Sequence, residues 1–443
     1  MMRLGCAALP VGMALMAFVS LQPYFLWRYQ KPAYGLATLI VVTGAAVGWR
    51  AFSIDRSRIA LSVAFALFLV YLSFLPRLDG PPTRWFLLIP FTIALVHCRR
   101  RELAAAFDLF LWLFALSVLP AMALWLWLVL GLPLEMQYAM PPAEIAHNDA
   151  KDYAQLPGAI FLLGNGVVLP NGGTLFRLCG IYDEPGTVGT VAALCLAATR
   201  FRFDARGLIC FFAGLMSFSI AFAVLATLGL IATAARPWRA LAAVGVIVAA
   251  SIPLSGLKSD ASAVSNLIVN APAEYKVESA LFIHSNDDTS IVGRQRFEPA
   301  PGSGLRNSPL DNRSGPAMRR LLEEYQAAPI ETQLFGVASD ASIVIGGGSS
   351  VWYRLLTDFG AIGFALALAA FAFPLAALWQ RSRIDAGAWV FVILFLMSFY
   401  QRPIIWLSAP LLIYLVGIRW AAIDDERGRA GRRSRLPCDR VLR

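Results

Sequence analysis

The sequence predicts an all-α, polytopic membrane protein with about 12 transmembrane helices. Hydrophobic residues make up 58% of the 443-residue chain, whereas charged residues make up only 15%. The apolar residues are gathered in runs close to the length that a helix needs to cross a bilayer, about 20 residues. Arginine is concentrated in alternate connections between these runs, as the positive-inside rule describes for cytoplasmic loops.

The predicted spans follow the apolar runs in chain order: 5–27, 33–49, 59–76, 85–98, 104–132, 186–199, 207–235, 238–256, 355–379, 386–400 and 404–420. The run 207–235 is long for one span and has Ser217 and Ser219 near its middle. We predict that it crosses twice, because only then do the arginine-rich connections share one side. The first run is either a cleaved signal peptide or a retained span, and the retained span fits this topology better.

This topology places both chain termini in the cytoplasm. The net charge of +10 is explained by arginine in the cytoplasmic connections and in the tail 421–443, so it implies no nucleic-acid partner. We expect the tail to lie against anionic lipid headgroups. The six cysteines form no CxxC pair, and no nucleotide-binding or metal-ligand motif is present. We therefore predict no disulfide framework, metal site or cofactor.

The chain divides into six predicted regions: N-terminal transmembrane helices 1–132, a first outer loop 133–183, central transmembrane helices 184–256, a large outer loop 257–350, C-terminal transmembrane helices 351–420 and the basic tail 421–443. In the first loop, 158–170 is apolar and is expected to form either a hairpin or a shallow re-entrant segment. In the second loop, 315–327 has the spacing of an amphipathic helix. Its predicted apolar face consists of Met318, Leu321, Leu322 and Tyr325.

The stretch 174–190 is the most informative part of the sequence. Asp183 or Glu184 is suited to cap a helix, and Pro185 suits a first helical position because the missing N–H is not needed there. With Arg177, these residues form a charged loop that enters a membrane helix at the outer face. The stretch is therefore either an ordinary helix start or a site for an anionic, lipid-borne substrate.

Arginines in and beside the two outer loops favour the second interpretation. They are Arg177, Arg294, Arg296, Arg306, Arg313, Arg319, Arg320 and Arg354. Arginine binds phosphate through two parallel hydrogen bonds and stays charged at neutral pH. Glu184, Asp183, His147 and His284 are candidate general bases. Tyr353 is either an aromatic residue of the membrane interface or a platform for a sugar ring.

Four segments resemble one family. FRLCGIYDEPGTVGT, then MSFSIAF, then PIETQLFGVA and SSVWYRLLTDFGAIGF are similar, in order and spacing around the large loop, to the O-antigen polymerase and ligase superfamily. The Asp-Glu-Pro-Gly form most resembles Wzy-type exopolysaccharide polymerases of the xanthan type. The resemblance covers about 174–378, less than half of the chain.

The resemblance implies a GT-C-like, metal-independent membrane glycosyltransferase. Such an enzyme joins oligosaccharide repeat units, carried on undecaprenyl diphosphate, at the periplasmic face of the bacterial inner membrane. Its partners would be the lipid-linked oligosaccharide, the growing polysaccharide, the lipid bilayer and a chain-length co-polymerase.

The resemblance also implies that arginines of both periplasmic loops hold the diphosphate. In the first loop, Arg177 matches the family's arginine that precedes the Glu-Pro-Gly segment. In the second loop Arg313 is the nearest match, but the order Asn312-Arg313-Ser314-Gly315 departs from the family's Ser-Gly-Arg, so Arg294 and Arg319 remain alternatives. His284 is the counterpart of a loop histidine in the ligase branch. Two other functions stay open: a ligase that transfers glycan to lipid A core or another acceptor, and a transporter of the lipid-linked unit.

Overall fold

The computed structural model describes residues 2–75, 85–130, 137–139, 153–162, 167–168, 174–233, 245, 316–339, 341–344, 351–380, 384–399 and 405–420. The helices of the first two thirds are α1 (Met2–Val19), α2 (Gln30–Val47), α3 (Arg56–Phe74), α4 (Ile89–His97), α5 (Arg100–Val129), α6 (Pro185–Ala198), α7 (Ala205–Met216) and α8 (Ile220–Thr233). Three short 3-10 helices lie between them, at Tyr24–Tyr29, Trp49–Ala51 and Trp85–Leu88.

The C-terminal third of the described chain is also helical. Its helices are α9 (Pro316–Ala327), α10 (Ile330–Phe335), α11 (Ala341–Val344), α12 (Val351–Thr357), α13 (Gly360–Gln380), α14 (Ala386–Ser398) and α15 (Ser408–Gly417). The last of these packs against α1, α4, α5, α6 and α14, so it lies in the middle of the bundle. Trp406 and Trp420, which flank it, are fully buried.

Three described helices are long and apolar enough to cross a membrane: α3, α5 and α13. A fourth span is counted if the pair Ala8–Val19 and Tyr24–Val47, bent by 107°, is taken as one. Several shorter apolar helices pack around them, including α6, α7, α8, α14 and α15. The predicted class, a mostly helical membrane protein, is therefore confirmed, whereas the count of about 12 spans stays a prediction.

Five short strands accompany the helices within the predicted first loop. β1 (Gln137–Ala139), β2 (Tyr153–Leu156) and β3 (Ala159–Leu162) form an antiparallel sheet in that order, and β4 (Val167–Val168) pairs with β5 (Thr174–Leu175). The turn between β2 and β3 contains Gly158, whose φ of +79° is readily available only to glycine. The segment 158–170 does not form a hairpin by itself, as one of the two predicted forms had it: Ala159–Leu162 pairs with the preceding Tyr153–Leu156, and Val167–Val168 pairs with the following Thr174–Leu175.

The described helices run between two ends of the bundle. At one end, which we call the arginine end, the end of α4 meets the start of α3 and the residues after α15: Arg58 and the Trp420 indole both donate to the Val96 carbonyl. Arg200, after α6, donates to the Gly417 carbonyl at the same end. At the opposite end, the loop end, the Tyr24 amide donates to the Ile181 carbonyl.

The run 207–235 reverses direction. The Leu178 amide donates to the Met216 carbonyl, so α7 ends at the loop end. Gly229 of α8 packs against the Phe201 ring, which follows α6 at the arginine end. The predicted division of this run into two helices, broken at Ser217–Ser219, is therefore confirmed. The next predicted span, 238–256, lies outside the described residues apart from Gly245.

The amphipathic helix predicted in the large loop is α9. Met318, Leu321 and Tyr325 are buried, and Leu322 is half-buried. Glu323 and Glu324 on the other face are exposed. The buried face packs against Ala338 and Ala341, which form one cluster with Met318 and Leu321.

Candidate functional site

The segment 176–184 is fastened to the break between α7 and α8 at the loop end. The Arg177 Nε donates to the Ser217 carbonyl at 3.1 Å. The Trp125 indole of α5 donates to the Phe176 carbonyl at 2.6 Å, and its ring lies 6.2 Å from that of Phe218. The stretches 174–190 and 207–235, both singled out in the sequence, are thus in direct contact, and a hydrogen bond to a backbone carbonyl joins them.

Small residues allow this close approach. A Cβ on Gly189 of α6 would lie 2.4 Å from the Ser219 Cβ, a distance that real side chains do not tolerate. Phe218 has a φ of 45°, which turns the chain between the two helices. The hydroxyls of Thr190 and Ser219 are buried there and have no hydrogen-bond partner within the described chain.

Two carboxylates stand at the start of α6. Glu184 has the backbone geometry of an N-cap, but its side chain makes no capping hydrogen bond. The Asp183 carboxylate accepts a hydrogen bond from the Thr187 hydroxyl at 3.0 Å, one turn into the helix. Pro185 occupies the first helical position, as predicted. The expected helix start is confirmed, although the Glu184 side chain does not cap it.

The β2–β3 hairpin covers this helix start. The Tyr153 hydroxyl donates to the Asp183 carbonyl at 2.9 Å, and the Ile160 amide donates to the Gly180 carbonyl at 2.8 Å. Burial raises the pKa of the Tyr153 phenol, and the charges of Asp183 and Glu184 raise it further. The phenol therefore stays protonated and acts as a hydrogen-bond donor at neutral pH.

The charges of Arg177, Asp183 and Glu184 lie close to one another. All three act on the buried Cys179 thiol: burial raises its pKa to about 12, Arg177 lowers it, and the two carboxylates raise it. This thiol is therefore unreactive at neutral pH. The carboxylates also occupy the positive end of the α6 dipole, so anion binding here depends on Arg177 more than on the helix.

A second polar cluster lies at the loop end, before α13. Asp358 is fully buried and accepts hydrogen bonds from the Ser342 amide at 2.9 Å, the Ser342 hydroxyl at 2.9 Å and the Thr357 hydroxyl at 3.2 Å. Arg354 Nε is 3.1 Å from the same carboxylate. Burial raises the pKa of Asp358, whereas Arg354 and these donors act in the opposite direction. Arg354, grouped with the outer arginines by sequence, is thus 3% exposed and held in the protein interior.

The two resembling segments of the C-terminal part also meet. The Val337 amide donates to the Thr357 carbonyl at 2.8 Å, and Gly336 faces Gly360 at a distance that excludes larger residues. The Tyr71 hydroxyl of α3 donates to the Phe359 carbonyl at 2.8 Å and the Phe335 carbonyl at 3.2 Å. These hydrogen bonds join the segments PIETQLFGVA and WYRLLTDFG to each other and to the loop end of α3.

The structure brings together three of the predicted site residues: Arg177, Asp183 and Glu184. Tyr353 lies elsewhere, against the α9 cluster. Arg319 is within α9, but its side chain lies outside the described residues, as do His284, Arg294 and Arg313. Sequence reasoning missed Tyr153 and named Ser217 only as part of the break in 207–235, because their contacts join segments that are far apart in the chain. The contact of Thr187 with Asp183 could have been predicted, because the two residues are four positions apart, a spacing that brings side chains together on a helix.

Within the described chain, no three His, Cys, Asp or Glu side chains are grouped so as to hold a metal ion. Comparison with known proteins gives no match to a family model, a curated protein or a solved structure.

Proposed function

We propose that the protein is a polysaccharide polymerase. It would join undecaprenyl-diphosphate-linked oligosaccharide repeat units at the periplasmic face of the bacterial inner membrane, with about 12 spans and both termini in the cytoplasm. A chain-length co-polymerase is a further proposed partner.

One observation carries this proposal: the segments of the resemblance meet in pairs at one end of the bundle. FRLCGIYDEPG is hydrogen-bonded to the MSFSIAF break, and PIETQLFGVA is hydrogen-bonded to WYRLLTDFG. The membrane-length helices α3, α5 and α13 start or finish at this same end, which is where the headgroup of a lipid-borne substrate would lie.

In this proposal Arg177 binds the diphosphate, because a guanidinium matches two phosphate oxygens at once. Its Nε already donates to Ser217, which fixes the orientation of the side chain. Glu184, which is half-buried and does not cap α6 with its side chain, is the base that removes a proton from the attacking sugar hydroxyl. That oxygen bonds to the anomeric carbon of the growing chain as the bond from this carbon to undecaprenyl diphosphate breaks, and Arg177 holds the departing diphosphate. Asp183 is held by Thr187 and Tyr153 and positions the helix start.

The test is polymer synthesis in proteoliposomes that contain the purified full-length protein and undecaprenyl-diphosphate-linked repeat units, with chain length followed on gels. Arg177→Ala should slow lengthening by about 100-fold, the usual cost of removing one essential charge-stabilising donor. Arg177→Lys should recover little, because an ammonium cannot reproduce the two-pronged geometry. Arg202→Ala is the matched control, since Arg202 is exposed near the arginine end.

Failure of the wild-type protein to lengthen any chain would refute the polymerase. Transfer of the glycan to a lipid A core acceptor would instead indicate a ligase, and movement of repeat units without bond formation a transporter. A normal rate for Arg177→Lys would refute the diphosphate role of Arg177.

Glu184→Gln separates a base from a structural residue. A base loses its activity when it becomes an amide, because the amide accepts no proton. We expect at least about 100-fold slower lengthening from a protein that still folds, because glutamine keeps the size of the side chain. Unchanged activity would exclude Glu184 as the base.

A further inference from the structure

An apolar crevice separates α13 and α14, although these helices follow each other in the chain. The main packing partners of α13 are α3, α10 and α12, whereas those of α14 are α6, α8 and α15. The space left between the two helices has a volume of about 130 Å³. It is lined by apolar side chains, among them Trp352, Phe364, Phe371, Phe395, Phe399 and Tyr414.

Packed aromatic rings fix the shape of this crevice. Phe371 and Phe395 both contact Tyr414 of α15, with ring centroids 5.3 and 4.8 Å apart, and the Tyr414 hydroxyl donates to the Phe371 carbonyl. These rings form the back wall. Because they are held by neighbours on three helices, the crevice is preformed. A dry apolar cavity of about 150 Å³ is known to bind a hydrocarbon such as benzene.

The crevice opens sideways towards the bilayer. Leu368 of α13 and Leu396 of α14 line it and are 53% and 41% exposed. Since α13 is long and apolar enough to span the membrane, this opening faces lipid chains. Along α13 the lining extends from Phe364 to Leu375, which corresponds to about 16 Å of helix. The crevice therefore has the shape of a chain that lies parallel to the helices.

Trp352 marks the loop end of the crevice. Its ring lies 5.2 Å from Phe399 at the end of α14 and 6.2 Å from Phe364 near the start of α13. A lipid chain in the crevice would thus place its headgroup at the loop end, the end where Arg177 and Glu184 lie.

We propose that this crevice binds part of the polyprenyl chain of the lipid-linked substrate, which enters from the side between α13 and α14. The assignment of this chain to the substrate rests on the proposed polymerase function. The crevice holds the chain in place while the diphosphate reaches the loop end, so it is a substrate-binding site in the membrane.

The test is photolabelling of the full-length protein in phospholipid vesicles. One probe is a polyprenyl phosphate with a diazirine within its prenyl chain, and the other is a phosphatidylethanolamine with a diazirine in an acyl chain. Labelled positions are identified by mass spectrometry. We expect the polyprenyl probe to label the crevice residues, with Leu368 and Leu396 at its mouth.

Matched alanines on one helix supply the control. Ala372 and Ala369 are both exposed on α13, but only Ala372 lines the crevice. Ala372→Trp should reduce crevice labelling by about tenfold, because the indole displaces several buried methylene groups of the chain. Ala369→Trp should leave it unchanged. On the other wall, Leu396→Trp and its exposed neighbour Met397→Trp form a second pair in case one variant folds poorly.

Equal labelling by the acyl probe, with the same sensitivity to Ala372→Trp, would overturn the proposal and indicate an ordinary boundary lipid. Polymer synthesis separates this result from the function. If Ala372→Trp lengthens chains at the normal rate at limiting substrate, the crevice does not bind the substrate chain, whereas the polymerase function is still supported. Selective polyprenyl labelling without any polymer synthesis would leave the polyprenyl site standing and refute the polymerase.

Discussion

The two ends of the helix bundle use arginine differently. At the arginine end, Arg58 donates to the Val96 and Cys98 carbonyls at the end of α4, and Arg200 donates to Ala197 at the end of α6 and Gly417 at the end of α15. At the loop end, Arg177 donates to the Ser217 carbonyl in the break between α7 and α8 and lies near two carboxylates.

This difference shows that arginine counts predict topology better than they predict a role. The last carbonyls of a helix lack partners within the helix, and the negative end of the helix dipole attracts cations. Arginines near helix ends therefore become structural. Arg177 at the loop end also binds such a carbonyl, that of Ser217 after α7, but two carboxylates lie near it as well.

The largest effect that we expect is at the arginine end. Arg58→Ala removes a fully buried guanidinium that binds two carbonyls and lies 3.4 Å from Asp55. Loss of such a buried partner should lower the free energy of unfolding by about 4 kcal/mol. Thermal unfolding in detergent measures it, with Arg56→Ala as the control because Arg56 is exposed on the same helix. Equal stability of the two variants would contradict the structural role of Arg58.

A smaller effect is expected at the loop end, at the buried Asp358. Asp358→Asn keeps the shape but removes the charge that Arg354 and three hydrogen-bond donors face. We expect unfolding to become easier by about 2 kcal/mol, measured by the same thermal unfolding assay. The exposed Glu331→Gln is the control. Equal stability of Asp358→Asn and the wild type would contradict a stabilising role for the buried carboxylate.

The last pair of effects concerns glycines, one of them at the contact between α6 and the break. In Gly189→Ala the added methyl group would clash with Ser219. We expect this overpacking to lower the free energy of unfolding by roughly 1–3 kcal/mol. Gly35→Ala in α2 should have the opposite effect, because open space surrounds that position and alanine favours the helix. We expect it to raise the free energy of unfolding by about 0.5–1 kcal/mol. Chemical denaturation of both variants tests the contrast. A harmless Gly189→Ala would mean that the break moves freely against α6.

Much of the fold follows from local patterns. Hydropathy located α3, α5 and α13, and the polar pair Ser217 and Ser219 predicted the division between α7 and α8. The spacing of Met318, Leu321 and Tyr325 predicted the buried face of α9. The pairing of 158–170 with strands on both sides of it was not predicted, because the alternation of a short strand is a weaker signal than a long apolar run.

Of the site, the sequence by itself determined the helix start at Glu184 and Pro185 and the charged character of 174–190. Only the tertiary structure decided that Arg177 binds the Ser217 carbonyl and that Arg354 is buried with Asp358. The physical reason is that helix formation and membrane insertion depend on neighbouring residues, which the sequence displays directly. The partner of a polar group depends on which distant segments pack together, and the backbone carbonyl that an arginine finds there carries no signature in the sequence.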